Sequence, residues 1–409
     1  MRRVFLLSLG IMTSIGGFVD IGNLVTSGIT GARFGMSLTW AIIVGTIGMT
    51  LYGEMAGRVA AVARRPVFHA IRERLGVRTA LLNLVAFVLL AVLTLAAEIG
   101  GLALVLQLVT GVNYLVWVPF VGLSIWLVVW RWRFSLIENV FGLLGLTLLV
   151  FVVAIFALPT DWRALGGGIT HPWVPPKEGH PMYFFYAISL VGACIVPYQV
   201  VFFATGGREE HWTAKNVREM RLNALIGFPL GGLLTLAIMA AAFVVLQPAQ
   251  IDVNHLGQVA LPVAQALGPV GLVLALIGFA AAVFAAGVEC TLSVGYSVAQ
   301  YFGWGWGKDR PPLYAPRFHL VCLCGVVVAT AFILSGIDPI TVTIVSVVLG
   351  AAAVPLTYFP VLIVANDRNY MGRWVNRRWI NGLAVVFLLA MTVISVAALP
   401  LIFVTKAGQ

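Results

Sequence analysis

Apolar residues run in long stretches along this chain, and polar residues gather in the short gaps between them. A helix needs about 20 mainly apolar residues to cross a bilayer. On that criterion eleven spans are predicted, at 4–32, 36–60, 79–110, 113–130, 135–158, 182–205, 222–246, 264–300, 317–335, 340–365 and 380–405. The runs are continuous and do not alternate with period two, which argues for helices and against a membrane β-barrel. The longest runs are expected to tilt or break. The stretch 159–181 is rich in Pro and Gly and reads as an ordered loop, and the chain 1–409 reads as a single transmembrane domain.

Composition adds exclusions. Of the 409 residues, 61% are hydrophobic and 10% charged, and the mean hydropathy is +1.01. Soluble domains carry about 25% charged residues. A soluble enzyme, a disordered chain and a disulfide-stapled secreted domain are thereby excluded. Cys194, Cys290, Cys322 and Cys324 all fall inside apolar segments, away from any disulfide framework. The first apolar run carries Asp20 and Asn23 where a signal peptide would have a small-residue cleavage site.

The net charge of +10 needs no nucleic-acid partner, because the basic residues sit between spans. With the N-terminus inside, 21 basic residues fall in cytoplasmic segments, beginning with Arg2 and Arg3. Arg33, Arg163, Lys177 and Lys406 remain outside. This asymmetry predicts a cytoplasmic N-terminus and an extracytoplasmic C-terminus, with the basic side facing anionic lipid headgroups.

Ionisable residues inside a membrane are rare and mark pathways. Three lie deep here: Asp20 in span 1, Glu98 in span 3 and Glu289 in span 8. Glu54 and Glu138, nearer the helix ends, read as caps or as partners of nearby arginines. Lys and Arg are missing from the deep positions, so the carboxylates require protons or bound cations as counter-charges. Asp20 sits in a polar, Gly-containing break, Val-Asp-Ile-Gly-Asn. Span 6 carries a second break, Gly192-Ala-Cys-Ile-Val-Pro197-Tyr198-Gln199, whose proline frees a carbonyl near Ala193. Interrupted helices in corresponding positions of two inverted halves point to a midplane site, and unwound carbonyls there coordinate cations.

These residues resemble motifs of the Nramp (natural resistance-associated macrophage protein) family of divalent metal transporters. Asp20-Ile-Gly-Asn23 is similar to that family's Asp-Pro-Gly-Asn, and Ala97-Glu98-Ile-Gly-Gly to its Ala-Glu-Val-Ile-Gly. Ala193-Cys-Ile-Val196-Pro197-Tyr198 stands where the family has Ala-x-x-Met-Pro-His. Ala285-Ala-Gly-Val-Glu-Cys-Thr291 resembles Ala-Ala-Gly-Gln-Ser-Ser-Thr, and Asp367-Arg368 with Met371-Gly372 resembles Asp-Arg-x-x-Met-Gly. The resemblance implies an all-α integral membrane protein with a LeuT-like fold of eleven helices. It implies two inverted five-helix repeats, about 1–158 and 181–365, plus an extra helix at 380–405, with helices 1 and 6 broken.

The sequence departs from the family at its soft and titratable positions. The span-6 Met is Val196, the His after the Pro is Tyr198, and a second His is Phe203. The Asp before the span-3 Glu is Leu95, and the span-10 Gln positions are Val347 and Ala353. The chain thus resembles a divergent, magnesium-transporter-like branch, in which loss of the thioether goes with harder ions. A thioether favours transition metals, whereas oxygen ligands suit Mg2+, which keeps several waters and needs one or two carboxylates. The expected ion site is Asp20, Asn23, the Ala193 carbonyl, the Val196 position, Gln199 and Glu289, with Glu98 and Tyr198 in proton or gating roles. A thiol of Cys194 or Cys290 facing the site would restore a soft ligand.

The expected function is uptake of Mg2+ or Mn2+ by alternating access across a prokaryotic inner membrane, weakly coupled to protons or uncoupled. The metal ion and the lipid bilayer are the expected partners, with no cofactor and no obligate protein partner. The alternatives are a proton-coupled Mn2+/Fe2+ transporter and an amino-acid or other organic-solute symporter on the same fold. An enzyme is disfavoured, since the sequence has no nucleophile–base pair and its histidines lie at loops or span ends.

Overall fold

The computed structural model describes residues 18–63, 65–170, 172–175 and 178–408. Residues 4–17 of the first expected span, with Arg2, Arg3 and Lys177, lie outside the described residues, as does the side chain of Glu138.

Regular structure among the described residues is entirely helical. The helices are α1 (Ile21–Phe34), α2 (Thr39–Ala63), α3 (Val67–Leu75), α4 (Val77–Thr110), α5 (Tyr114–Arg131), α6 (Phe134–Gly145) and α7 (Val150–Ala157). They continue with α8 (Trp162–Thr170), α9 (His180–Cys194), α10 (Pro197–Glu209), α11 (Val217–Val245) and α12 (Leu256–Phe302). The last are α13 (Pro316–Leu334), α14 (Pro339–Asn366), α15 (Arg368–Met371) and α16 (Arg378–Val404). Helices suit an apolar medium because every backbone group is satisfied within its own segment. Nine stretches among the described residues are helical, long and apolar enough to cross a bilayer, counting α6–α7 and α9–α10 as one each. α2 is a 25-residue helix whose hydropathy is lowered by Glu54 and Arg58, and α1 holds the described part of the first span.

Local chemistry sets the ends. Asp338 accepts the Thr341 N–H at 2.8 Å ahead of Pro339, and Asn113 accepts the Leu115 N–H at 2.9 Å. These are N-caps of ordinary kind. Gly111 (φ 73°) and Gly303 (φ 70°) close α4 and α12 in the left-handed conformation that favours glycine.

Four details differ from the sequence reading. Span 8 begins at Leu256, ahead of 264, and bends at Gly268 (φ 65°) just before Pro269. Span 5 tightens into a 3-10 turn at Leu146–Leu149. The 159–181 loop contains α8, a nine-residue helix. α3, unforeseen, buries Val67, Phe68, Ala70 and Ile71 and carries Arg72 and Arg74 in its last turn. Its apolar residues at helical spacing were the available signal.

Packing places the broken helix at the centre. Of the most apolar 18-residue stretch of α9–α10, 94% is buried, against 17% for α16. α12 packs on α4, α4 on α14, and α11 on both α1 and α2. Leu389, Val393, Val396 and Phe403 of α16 are exposed, as expected of a lipid-facing helix. Small residues let the inner backbones approach, as in other membrane bundles. A Cβ on Gly31 would stand 2.2 Å from the Met239 carbonyl oxygen, and one on Gly192 2.0 Å from that of Val347.

Candidate metal site at two facing helix breaks

The first break is built by Asp20. Its extended backbone (φ −120°, ψ −175°) starts α1, and its Oδ1 accepts the Asn23 N–H at 2.9 Å. Aspartate is a strong N-cap, and its charge complements the positive end of the helix dipole. Tyr198 donates its hydroxyl to Asp20 Oδ2 at 3.2 Å. Glu98 comes to the same helix start, its Oε2 accepting the Ile21 N–H at 3.4 Å. Both carboxylates are buried.

The second break follows from Pro197. A residue before proline is pushed out of the helical region, and proline suits the first turn of a new helix. Val196 is accordingly extended (φ −104°, ψ 111°), α9 stops at Cys194, and α10 starts at Pro197. The freed Ala193 carbonyl accepts Asn23 Nδ2–H at 2.9 Å. Nδ2 also donates to the Phe18 carbonyl at 2.8 Å and lies 3.3 Å from Asp20 Oδ1. Three oxygens therefore surround one atom where the breaks meet. On its other side, Asn23 Oδ1 accepts the Thr235 hydroxyl at 3.2 Å, with Cys194 Sγ at 3.9 Å.

Beside this junction is a cavity of about 20 Å³, room for one water. Asp20, Gly192, Val196, Pro197, Tyr198, Ser346 and Val347 help to line it. Val196 and Val347 thus offer apolar walls to the site. Val347 Cγ1 also packs on Gly22, 2.6 Å from where a Cβ there would stand.

The remaining candidates lie around this core. Glu289 and Gln199 are buried, and Glu289 Oε2, Gln199 Oε1 and Glu98 Oε1 make no hydrogen bond. Ser293, one turn beyond Glu289, donates to the Tyr198 carbonyl at 2.8 Å, so that face of α12 lies against α10. Asp20, Glu98 and Glu289 are within Coulombic reach of one another. Among the described residues, no three His, Cys, Asp or Glu side chains converge as a ready-made metal cluster. The oxygens that do converge are those of Asp20, Phe18 and Ala193. Sequence reasoning missed Phe18 and Thr235: a backbone carbonyl has no residue-type signature, and a threonine in an apolar helix reads as packing.

Phe203, at one of the family-divergent positions, has a clear packing role. Phe203 packs edge-on against Trp212 and Phe228, at 5.4 and 5.5 Å, and Phe228 tilts against Phe18 at 6.4 Å. An aromatic column therefore runs from the first break toward the arginine-rich end of the bundle. There Glu54 accepts from Arg58 (2.9 Å) and Arg221 (2.7 Å), as expected of an end-of-helix partner. Asp367 caps α15 by accepting the Asn369 N–H at 2.9 Å and pairs with Arg74 at 2.5 Å. At the opposite end, Arg33 makes a two-pronged pair with Glu178, both contacts at 2.8 Å. Leu95 and Ala353 are buried, and Ala353 is not among the residues lining the cavity.

The natural resistance-associated macrophage protein-like (Nramp) family model matches residues 10–400. A divalent metal cation transporter MntH of Deinococcus radiodurans is 27% identical over 379 residues, which span 88% of this chain and 82% of that protein. A crystal structure of the Eremococcus coleocola manganese transporter superposes with a TM-score of 0.77 at 20% identity, covering 97% of this chain and 86% of that one. Mhp1, a nucleobase-cation-symport-1 transporter, shares the fold at a TM-score of 0.62 and 13% identity, covering 97% and 92%. A family match over nearly the whole length, joined to a sixth span broken before Pro197 and a helix that starts at Asp20 against it, leads to one conclusion: the chain is a member of the Nramp family.

Proposed function

We propose that the chain carries divalent cations across a bacterial cell membrane by alternating access, with Mg2+ its first substrate and Mn2+ its second. One observation supports this above the rest. Where the two breaks meet, a carboxylate and two freed carbonyls surround a single amide, and the nearest family-divergent positions, Val196 and Val347, add no soft donor. Hard oxygen donors suit Mg2+ and Mn2+. The related relatives are named for divalent metal and manganese transport, which supports the ion class. Mhp1 shares the fold, so the fold alone does not separate metal from organic substrates. The site chemistry supports the metal reading, because hard oxygens converge at the break and an aspartate there repels a substrate carboxylate.

In this reading Asp20 supplies the charge, Asn23 and the Ala193 and Phe18 carbonyls join it, and water completes the shell. Glu289 and Gln199 serve as outer partners reached through water. Residues 1–158 and 181–365 are the inverted repeats, 380–405 the added helix, and the N-terminus is cytoplasmic. The Arg33–Glu178 pair and the Glu54–Arg58–Arg221 cluster then hold the outer and inner ends. The test is flux into liposomes loaded with a divalent-sensitive dye, over a panel of ions; exclusion of both Mg2+ and Mn2+ would defeat the proposal.

Two expected results refine it. Val196→Met places a thioether on the cavity wall, and Mn2+ and Cd2+ should then compete several-fold better against Mg2+. An unchanged ranking would assign selectivity elsewhere, with the Cys194 thiol the next residue to replace. Coupling is the second. Glu98 sits at the helix start with apolar Leu95 one turn before it, and the family's histidine positions are Tyr198 and Phe203. Among the described residues those positions offer no histidine or second carboxylate to relay a proton from Glu98, so metal entry should leave the liposome interior at constant pH. It should follow an imposed K+ diffusion potential, about 2.3 kcal/mol per charge per 100 mV. Metal-dependent acidification that disappears in Glu98→Gln would restore proton coupling.

A further inference from the structure

The amide of Asn23 sits between two unlike environments. Its Nδ2 carries two hydrogens but faces three oxygens, at 2.8, 2.9 and 3.3 Å. Its Oδ1 faces Thr235 Oγ1 at 3.2 Å, and that hydroxyl has a second acceptor, the Gly231 carbonyl at 3.1 Å. A hydroxyl has one hydrogen to give and lone pairs to receive, so Thr235 can act as donor or acceptor toward Asn23. Thr235 and Asn23 are both fully buried.

We propose that Thr235 is a positioning residue that lets the Asn23 amide turn over when a divalent cation binds; this rests on the metal-site reading above. Turning the amide by half a revolution brings Oδ1 to the place where Nδ2 stood. Four oxygens then face one another, an arrangement that only a cation among them makes favourable. The displaced Nδ2–H donates to Thr235 Oγ1, and the threonine hydrogen passes to the Gly231 carbonyl. The second Nδ2–H then turns toward Cys194 Sγ, which lies 3.9 Å from the Oδ1 position, and the tie between the two broken helices changes from a hydrogen bond to a shared ion.

The spacing fits a small ion. Octahedral Mg2+ with ligands at 2.0–2.1 Å separates adjacent oxygens by about 2.8–3.0 Å, whereas Ca2+ at 2.3–2.6 Å would need about 3.3–3.7 Å between octahedral neighbours. Two of the three separations around the amide, 2.8 and 2.9 Å, lie in the smaller range, and the third, 3.3 Å to Asp20 Oδ1, must shorten for the carboxylate to join a Mg2+ shell.

Thr235→Val keeps the volume but removes the acceptor, so the turned amide would bury an unpaired N–H. In the purified full chain, Thr235→Val should raise the Mn2+ or Mg2+ concentration for half-saturation by about tenfold, the effect of orphaning one buried donor. The maximal rate should stay near that of the wild type, the metal-free melting temperature should fall only slightly because Cys194 Sγ still lies 3.9 Å from Asn23 Oδ1, and Thr235→Ser should recover both the affinity and the melting temperature. If Thr235→Val folds poorly, Thr235→Ala serves in its place. Asn23→Asp supplies a second test, since a carboxylate presents oxygen on both sides and has no need to turn. In that background Thr235→Val should cost no further affinity. A wild-type half-saturation in Thr235→Val, an equal penalty beside Asn23→Asp, or a Thr235→Ser variant as impaired as Thr235→Val would overturn the proposal. Asp20→Ala separates the two claims. If it loses metal binding while Thr235→Val does not, only the role of Thr235 fails; if it binds metal normally, the site itself is misplaced.

Discussion

Asp20→Ala is expected to abolish divalent flux while leaving the folded yield close to that of the wild type. The two consequences have separate physical origins. Loss of the N-cap costs the helix about 1 kcal/mol, within the tolerance of a tightly packed bundle. Loss of the charge leaves only neutral carbonyl and amide oxygens where the breaks meet. Moving a divalent cation from water into that apolar surrounding without a counter-charge carries a solvation cost of tens of kcal/mol in the Born limit. Asp20→Asn should fail equally, because it keeps the cap geometry but not the charge. Flux of Mg2+ and Mn2+ in liposomes, read beside the size-exclusion profile of each variant, checks both parts. Wild-type flux in either variant would remove Asp20 from the ion path.

Gly192→Ala should show the second large effect, this time on folding and flux together. Helix propensity alone predicts a gain of about 1 kcal/mol for alanine over glycine in a helix interior. The packing predicts the reverse, because the new methyl would stand 2.0 Å from the Val347 carbonyl oxygen and 3.1 Å from Ala351 Cβ. Backbone cannot rotate away as a side chain can, so α9 and α14 must separate beside the second break. Overpacking of this kind costs about 1–3 kcal/mol or more. Gly382→Ala is the control, since nothing lies within 4 Å of a Cβ there. The melting temperature should fall for Gly192→Ala and hold or rise for Gly382→Ala. Equal melting temperatures and equal flux would show that α9 and α14 are not so closely apposed.

The parts of the fold that could be read from sequence are those where one residue type imposes a local consequence. Pro197 has no N–H and restricts Val196, so the second break lies where the proline puts it. Asp20 in an apolar run is too costly to be incidental, and it stands at the first break. Long-range pairing was not legible. Arg33 and Glu178 are far apart in the chain, and only the folded bundle brings them together. The Phe18 carbonyl joins the site through backbone geometry, and Thr235 through the rotation of α11 about its axis. Glu289 shows the opposite limit. Its depth is evident, but whether its oxygens meet those of Asp20 depends on how α12 packs, and in the structure Glu289 Oε2 makes no hydrogen bond.

The central claim is a location: the ion sits between the two broken helices, against Asp20. An anomalous-diffraction map from crystals of the wild-type protein grown with Mn2+ tests it most directly. The account predicts a single strong peak within coordination distance of the Asp20 carboxylate and the Ala193 carbonyl, with the Asn23 side-chain oxygen turned toward it. A peak beside Glu98 and Glu289 instead, with the Asp20 carboxylate unliganded, would contradict it.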